Sequence, residues 1–124
     1  MRYYDWDDLK ADSASEAIRR KLVTGERLMI ARTETKKGSR IASRQHPHET
    51  FIAVIDGAWK VSFGGRELIV GTNQILHLPP NTEHSIEALD WTVALEVFAE
   101  RGSTYFEKPD STSSIEDENY LWGV

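Results

Sequence analysis

Residues 38–57 read GSRIASRQHPHETFIAVIDG and residues 71–84 read GTNQILHLPPNTEH. Each segment opens on a glycine and carries a short β-prone run bounded by turn-forming residues. In the first, TFIAVID ends at Asp56-Gly57. In the second, QILHL lies between Gly71-Thr72-Asn73 and Pro79-Pro80-Asn81. All four histidines of the chain, His46, His48, His77 and His84, fall within these bounds. Histidine is the commonest metal ligand and the natural proton carrier near neutral pH. The region that sets the fold is therefore also the candidate site.

Working outward, similar runs occur at 18–23, 28–35, 58–63, 66–70, 84–88 and 92–98, with Thr24-Gly25, Lys37-Gly38 and Gly64-Gly65 as further turn signals. Short strands at such even spacing predict an all-β sandwich or barrel rather than βαβ units. In 58–63, Trp59, Val61 and Phe63 share one face, and Lys60 and Ser62 share the other. Asp56-Gly57 and Gly64-Gly65 supply the positive φ values that two-residue hairpins need. Closing an antiparallel sheet of about eight strands removes its exposed edges and leaves room for one small ligand. One domain is expected, with a core over about 18–100, an N-terminal arm over 1–17 and a tail over 101–124. Ser13 and Glu16 match a capping box, a pattern that also arises often by chance. The polar tail, with DSTSSIEDE at 110–118, is expected to wrap the surface, pinned by Tyr120, Leu121 and Trp122.

Composition excludes several classes. The 124 residues carry 15 Lys and Arg against 20 Asp and Glu, a formal net charge of −5. The one basic cluster, Lys36 to Arg44, is interrupted, so no nucleic-acid partner is expected. No run of about 18 apolar residues suggests a membrane span. The opening MRYYDWDDLK does not resemble a secretory signal, and the chain has no cysteine, so a cytoplasmic setting is expected.

The two quoted stretches resemble the paired signature motifs of the cupin superfamily, written G-x5-H-x-H-x3,4-E-x6-G and G-x5-P-x-G-x2-H-x3-N. With Gly38 and Gly57 on the two glycines of the first motif, Arg44 and His46 take the H-x-H pair and Thr50 takes the glutamate. His84 takes the histidine of the second motif, Pro79 its proline, and Asn81 the glycine of its turn. Asn suits that turn because it tolerates the left-handed conformation. The first glycine of the second motif comes two residues early, and Ala88 stands where it ends in Asn. The HPHE string is similar to the H-P-H-E-Q run of many single-domain cupins, among them small-molecule oxygenases, isomerases and polyketide-cyclase-like members. The resemblance implies an antiparallel double-stranded β-helix, the jelly-roll barrel. It also implies a small-molecule site at the mouth and a homodimer, often with exchanged N-terminal strands. It does not fix the chemistry, because one fold hosts many activities.

In metal-binding members the motif implies three histidines and a glutamate around one divalent ion. This chain keeps His46 and His84 and has Arg44 and Thr50 in the other two places. A guanidinium has no lone pair to donate. Its charge about 4 Å from a divalent ion costs roughly 8 kcal/mol at an effective dielectric of about 20. Arg44 must therefore turn away, pair with an acid such as Glu49, or stand in place of the metal. A shifted register would make His46 and His48 the H-x-H pair and gather them with His84, at the expense of the glycine spacing. One form of the site is thus a single Fe, Mn, Ni or Zn ion on His46 and His84, with His48 or water completing the shell, acting as a Lewis acid. The other has no metal: His46 or His84 is the general base and Arg44 clamps a carboxylate or enolate. Either would suit isomerisation, cyclisation or decarboxylation of a small anionic or aromatic metabolite, with Arg44, Thr50, Ile52 and Glu96 as substrate contacts.

Other side chains admit plainer readings. Glu96 lies opposite Val93, Leu95 and Val97, so it is a pocket acid or a solvent-facing residue. Ile52, Val54 and Ile86 suggest apolar walls. His77 reads as a half-buried structural histidine, and the four tryptophans as core or dimer contacts. A non-catalytic binding or sensing module, left by loss of two ligand positions, remains an alternative to an enzyme.

Overall fold

The computed structural model describes residues 1–99. The expected tail and its anchor at Tyr120, Leu121 and Trp122 lie outside the described residues. After a short 3-10 turn at Trp6–Asp8, ten strands follow in this span. They are β1 (Asp12–Ser15), β2 (Ile18–Thr24), β3 (Leu28–Thr35), β4 (Arg40–Arg44), β5 (Thr50–Asp56), β6 (Ala58–Phe63), β7 (Arg66–Gly71), β8 (Ile75–Leu78), β9 (His84–Ala88) and β10 (Thr92–Ala99). All pairings are antiparallel. One sheet runs β1-β2-β3-β10-β5-β8, and a second runs β4-β9-β6-β7. This is the expected all-β jelly roll. Among the described residues, no helix is long and apolar enough to cross a membrane.

Period-2 patterning closes the two sheets on each other. Ile52 and Val54 of β5, Trp59 and Val61 of β6, Ile86 and Ala88 of β9, and Ala94 of β10 meet in one buried cluster. Phe63 packs against it from the face that Trp59 and Val61 share, as the alternation predicted. Trp59 is its largest member, and its indole N–H donates to Thr35 Oγ1 at 2.9 Å. That bond removes the cost of burying an unpaired donor.

Two expectations are corrected, the hairpin at Asp56-Gly57 and the strand count. Asp56-Gly57 is not a hairpin, because β5 and β6 belong to different sheets and do not pair. Gly57 instead turns the corner between the sheets at φ +100°, and its N–H donates to Thr72 Oγ1 at 3.1 Å. Gly64-Gly65, with φ +56° and +73°, does close the β6–β7 hairpin, pairing Phe63 with Arg66. The capping-box pattern at Ser13 and Glu16 is a chance match: Ser13 lies in strand β1, paired with β2, and Glu16 in the turn after it. Strand β4 was not anticipated, because RIASR alternates poorly and contains a bulge. Ile41 pairs with Ile86 and Arg44 with His84, so three steps on β4 match two on β9.

The two turns differ in what an added methyl group would meet. A Cβ on Gly57 would lie 2.4 Å from the Trp91 carbonyl oxygen and 2.8 Å from Thr92 Cα, whereas one on Gly64 meets nothing within 4 Å. Gly57→Ala is expected to lose about 3 kcal/mol or more in urea unfolding, and Gly64→Ala only about 1 kcal/mol, from its left-handed φ alone. Equal losses would contradict the corner geometry.

Candidate functional site

The buried cluster turns polar toward one end of the barrel. Along β10, Glu96 faces inward with Ala94 and Phe98, opposite Ala31 of β3 and Ile52 of β5. Glu96 is 4% exposed. It faces the interior and not solvent. From the other sheet, the bulge in β4 turns Arg44 inward, beside His84 in the pairing register. Arg44 Nη2 donates to Glu96 Oε2 at 2.7 Å, with both side chains under a tenth exposed. The two sheets are thus bridged by a buried ion pair. Thr33, from β3, donates its hydroxyl to Glu96 Oε1 at 3.3 Å.

His46 and His84 converge at this pair. Their ring centroids are 6.2 Å apart at an interplanar angle of 55°, and His46 stacks on Phe98 at 6.2 Å and 4°. Loop contacts hold both in place. Asn81, at φ +63° in the glycine-like position, donates its N–H to the His46 carbonyl at 2.6 Å, and Gln45 Nε2 donates to the Asn81 carbonyl. His84 Nδ1 lies 2.9 Å from the Thr82 carbonyl. A carbonyl only accepts, so Nδ1 carries the proton and Nε2 the lone pair.

Both imidazoles are poor bases here. Burial, then the Arg44 guanidinium, lowers His84 to about 4, against weaker opposing pulls from the Thr82 bond and Glu96. Burial also holds His46 well below the ordinary histidine range, reinforced by Arg44, His84, Arg20 and His48. Near pH 7 the pocket thus holds two neutral rings beside a paired cation and anion.

The remaining candidates divide. Thr50 is buried on the rung of β5 paired with Phe98 and Leu78. Ile52, Val54 and Ile86 belong to the buried core cluster below the polar end. His48 is half-buried and close enough for its charge to act on His46. Two expectations are corrected: Arg44 pairs with Glu96 rather than Glu49, and His77 is exposed rather than half-buried. Outward-facing His77 Nε2 lies 2.7 Å from Glu49 Oε1, with its ring against Phe51. Trp59 is core, whereas Trp91 is 47% exposed. Thr33 and Phe98 were missed, because both faces of their strands carry buried or half-buried residues and alternation alone does not say which face is the lumen. Beside His84 an open groove of about 790 Å³ runs along the rim, lined by Ser43, Ser62, Ser85, Arg66 and Glu83 among others.

Among the described residues, no three His, Cys, Asp or Glu side chains sit together as a metal-holding group. The pocket offers two imidazoles and one carboxylate already engaged by a guanidinium, while first-row ions usually take three or more protein donors. These residues do not fit a metal centre.

The family model of the Cupin domain matches residues 31–99, more than half of the chain. No curated protein matches the sequence. Among solved structures, KdgF from Halomonas sp. is similar at 22% identity and a TM-score of 0.74, over 81% of this chain and 95% of that one. An RmlC-like cupin from Shewanella frigidimarina is similar at 14% identity and a TM-score of 0.75, over 83% and 94%. Oxalate decarboxylase from Bacillus subtilis, a protein with Mn(II) centres, is similar at 23% identity and a TM-score of 0.69, over 77% of this chain and 28% of that one. At these identities the likeness is one of fold.

The depressed basicity of His84 sets a sign for acid stability. The unfolded chain takes up this proton near pH 6.5, whereas the folded chain does so only near 4. Stability is therefore complete above about pH 6.5 and falls as pH drops toward 4, by up to about 3 kcal/mol from His84. Denaturant midpoints across this range should show that slope, and His84→Asn should reduce it, leaving the part that comes from His46.

Proposed function

Because the chain belongs to the cupin family, we propose that it binds a small anionic metabolite at the barrel mouth and transfers a proton on it without a metal. The observation that carries this reading is the hydrogen bond from His84 Nδ1 to the Thr82 carbonyl, which leaves Nε2 as the lone-pair nitrogen in a pocket that also holds Arg44.

The chemistry follows from these groups. A carboxylate or enolate in the pocket is attracted by the Arg44 guanidinium, which Glu96 and, through it, Thr33 hold in one geometry. His84 Nε2 accepts a proton from the bound molecule as general base. Negative charge developing on the substrate is opposed by the nearby cation. The imidazolium so formed is disfavoured by burial and by Arg44, so it returns the proton readily, as an isomerisation requires. His46, stacked on Phe98, offers a flat wall suited to an aromatic or conjugated substrate. Oxalate decarboxylase, similar in fold, acts by its name on a small carboxylate and lends support to that ligand class. A non-catalytic ligand-binding module is the second reading, favoured by the departure from the four-ligand motif at Arg44 and Thr50.

Thermal-shift screening of small carboxylic and phenolic acids, followed by NMR of the mixtures, tests the proposal. Arg44→Met is expected to weaken binding by about tenfold or more. His84→Asn should preserve binding and slow turnover by about a hundredfold or more. Ligands that bind yet are never converted would favour the module.

A homodimer is supported by the outward residues Phe51, Ile55 and Ile75, at 46%, 50% and 68% exposure on neighbouring strands. Light scattering is expected to give twice the chain mass, and a chain mass would reject the dimer.

A further inference from the structure

We propose that Arg44, held in place by its ion pair with Glu96, acts as a fixed internal cation that keeps divalent metals out of the pocket, and that replacing this one arginine by histidine opens a metal site. The inference goes beyond the small-anion reading and does not need it, since it concerns only what the pocket side chains can coordinate.

The argument starts from which sheet supplies which group. Strand β4 delivers Arg44, the segment after it His46, strand β9 His84 and strand β10 Glu96. Two of these four are neutral imidazoles, and neutral imidazole is the form that ligates. The third is a carboxylate, 4% exposed, a preferred anionic donor for Zn(II), Mn(II) and Co(II). These three do not form a metal-holding group as they stand, and the fourth opposes one: the guanidinium has no lone pair and carries a charge that repels a cation. It also occupies Glu96 Oε2 at 2.7 Å, withdrawing the third donor. A single side chain thus does two things: it supplies positive charge where an ion would sit, and it engages the carboxylate that would balance one.

The geometry also shows why the exclusion is stable. Arg44 is aimed inward by the β4 bulge opposite His84, and its partner is held on the far oxygen by Thr33. Burial strengthens the attraction between the two charges. A metal could displace the guanidinium only by leaving it buried without its carboxylate. With imidazole at position 44, the bulge would aim a third nitrogen into the same space. Glu96, no longer engaged by the cation, would be available as a fourth donor with Thr33 as its outer partner. Three nitrogens and one carboxylate oxygen make a set typical of tetrahedral and five-coordinate ions.

The test uses the full chain without a histidine tag, stripped with chelator and titrated separately with Zn(II) and Co(II). Calorimetry gives the stoichiometry, and visible absorption reports the Co(II) ligand field. Wild type is expected to take up no stoichiometric metal. Arg44→His is expected to bind one equivalent at least about a hundredfold more tightly, with the intense visible bands of tetrahedral or five-coordinate Co(II). Arg44→His/Glu96→Gln removes the buried charge that the single variant exposes. It should remain folded by circular dichroism and bind through its three imidazoles about tenfold or more weaker than the single variant. One equivalent bound tightly by wild type would overturn the proposal. So would the absence of metal uptake by the folded variants. Should the single variant not fold, the double variant and wild type still decide between these outcomes.

Discussion

The ion pair between Arg44 and Glu96 is the contact on which the pocket depends. It is a 2.7 Å bond between side chains from opposite sheets, each nearly inaccessible to water. Such a pair adds little net stability over well-packed apolar residues, but loss of either partner strands a charge in the interior at a cost of about 3–5 kcal/mol. Its value here is positional. It fixes one cation near two histidines, whose rings are kept neutral first by burial and then by that charge.

The rest of the barrel can be understood as what makes that arrangement affordable. Below the pair, Trp59, Ile52, Val54, Val61 and Ile86 fill the space between the sheets with apolar volume. Above it, the loop from Pro79 to Thr82 uses Asn81 to hold the His46 backbone and the Thr82 carbonyl to orient His84. The second motif therefore supplies not only a histidine but also the backbone groups that position both histidines. A pocket with a dry floor and a hydrogen-bonded rim can hold neutral imidazoles near a charge without their protonating, and such rings can accept a proton or a hydrogen bond.

The departure from the four-ligand motif takes on physical meaning at the same place. Arg44 is not a residue turned out to the rim after a metal was lost. It is buried, paired with Glu96 and aimed into the barrel by the β4 bulge. A guanidinium in that place can attract an anion and has no lone pair for a metal.

Much of this was legible in the sequence. Turn residues at even spacing and period-2 apolar runs determined an antiparallel barrel, because backbone hydrogen bonding leaves few other ways to bury such strands. The two motif stretches singled out His46, His84, Arg44 and Thr50. What only the tertiary structure decided was direction and partnership. Asp56-Gly57 has the residues of a hairpin, yet it turns a corner between sheets, because strand pairing is a long-range choice that a dipeptide does not encode. Glu96 and Phe98 sit on a strand lined on both faces, so alternation could not say which side was the lumen. Arg44 faces inward because one extra residue in β4 reverses the alternation after Ile41, and a bulge is visible only once both strands of the pair are in view. The identity of its partner, Glu96 instead of nearby Glu49, depends on the chain folding back across a sequence separation of 52. Proximity in sequence carries no information about a contact made across two sheets.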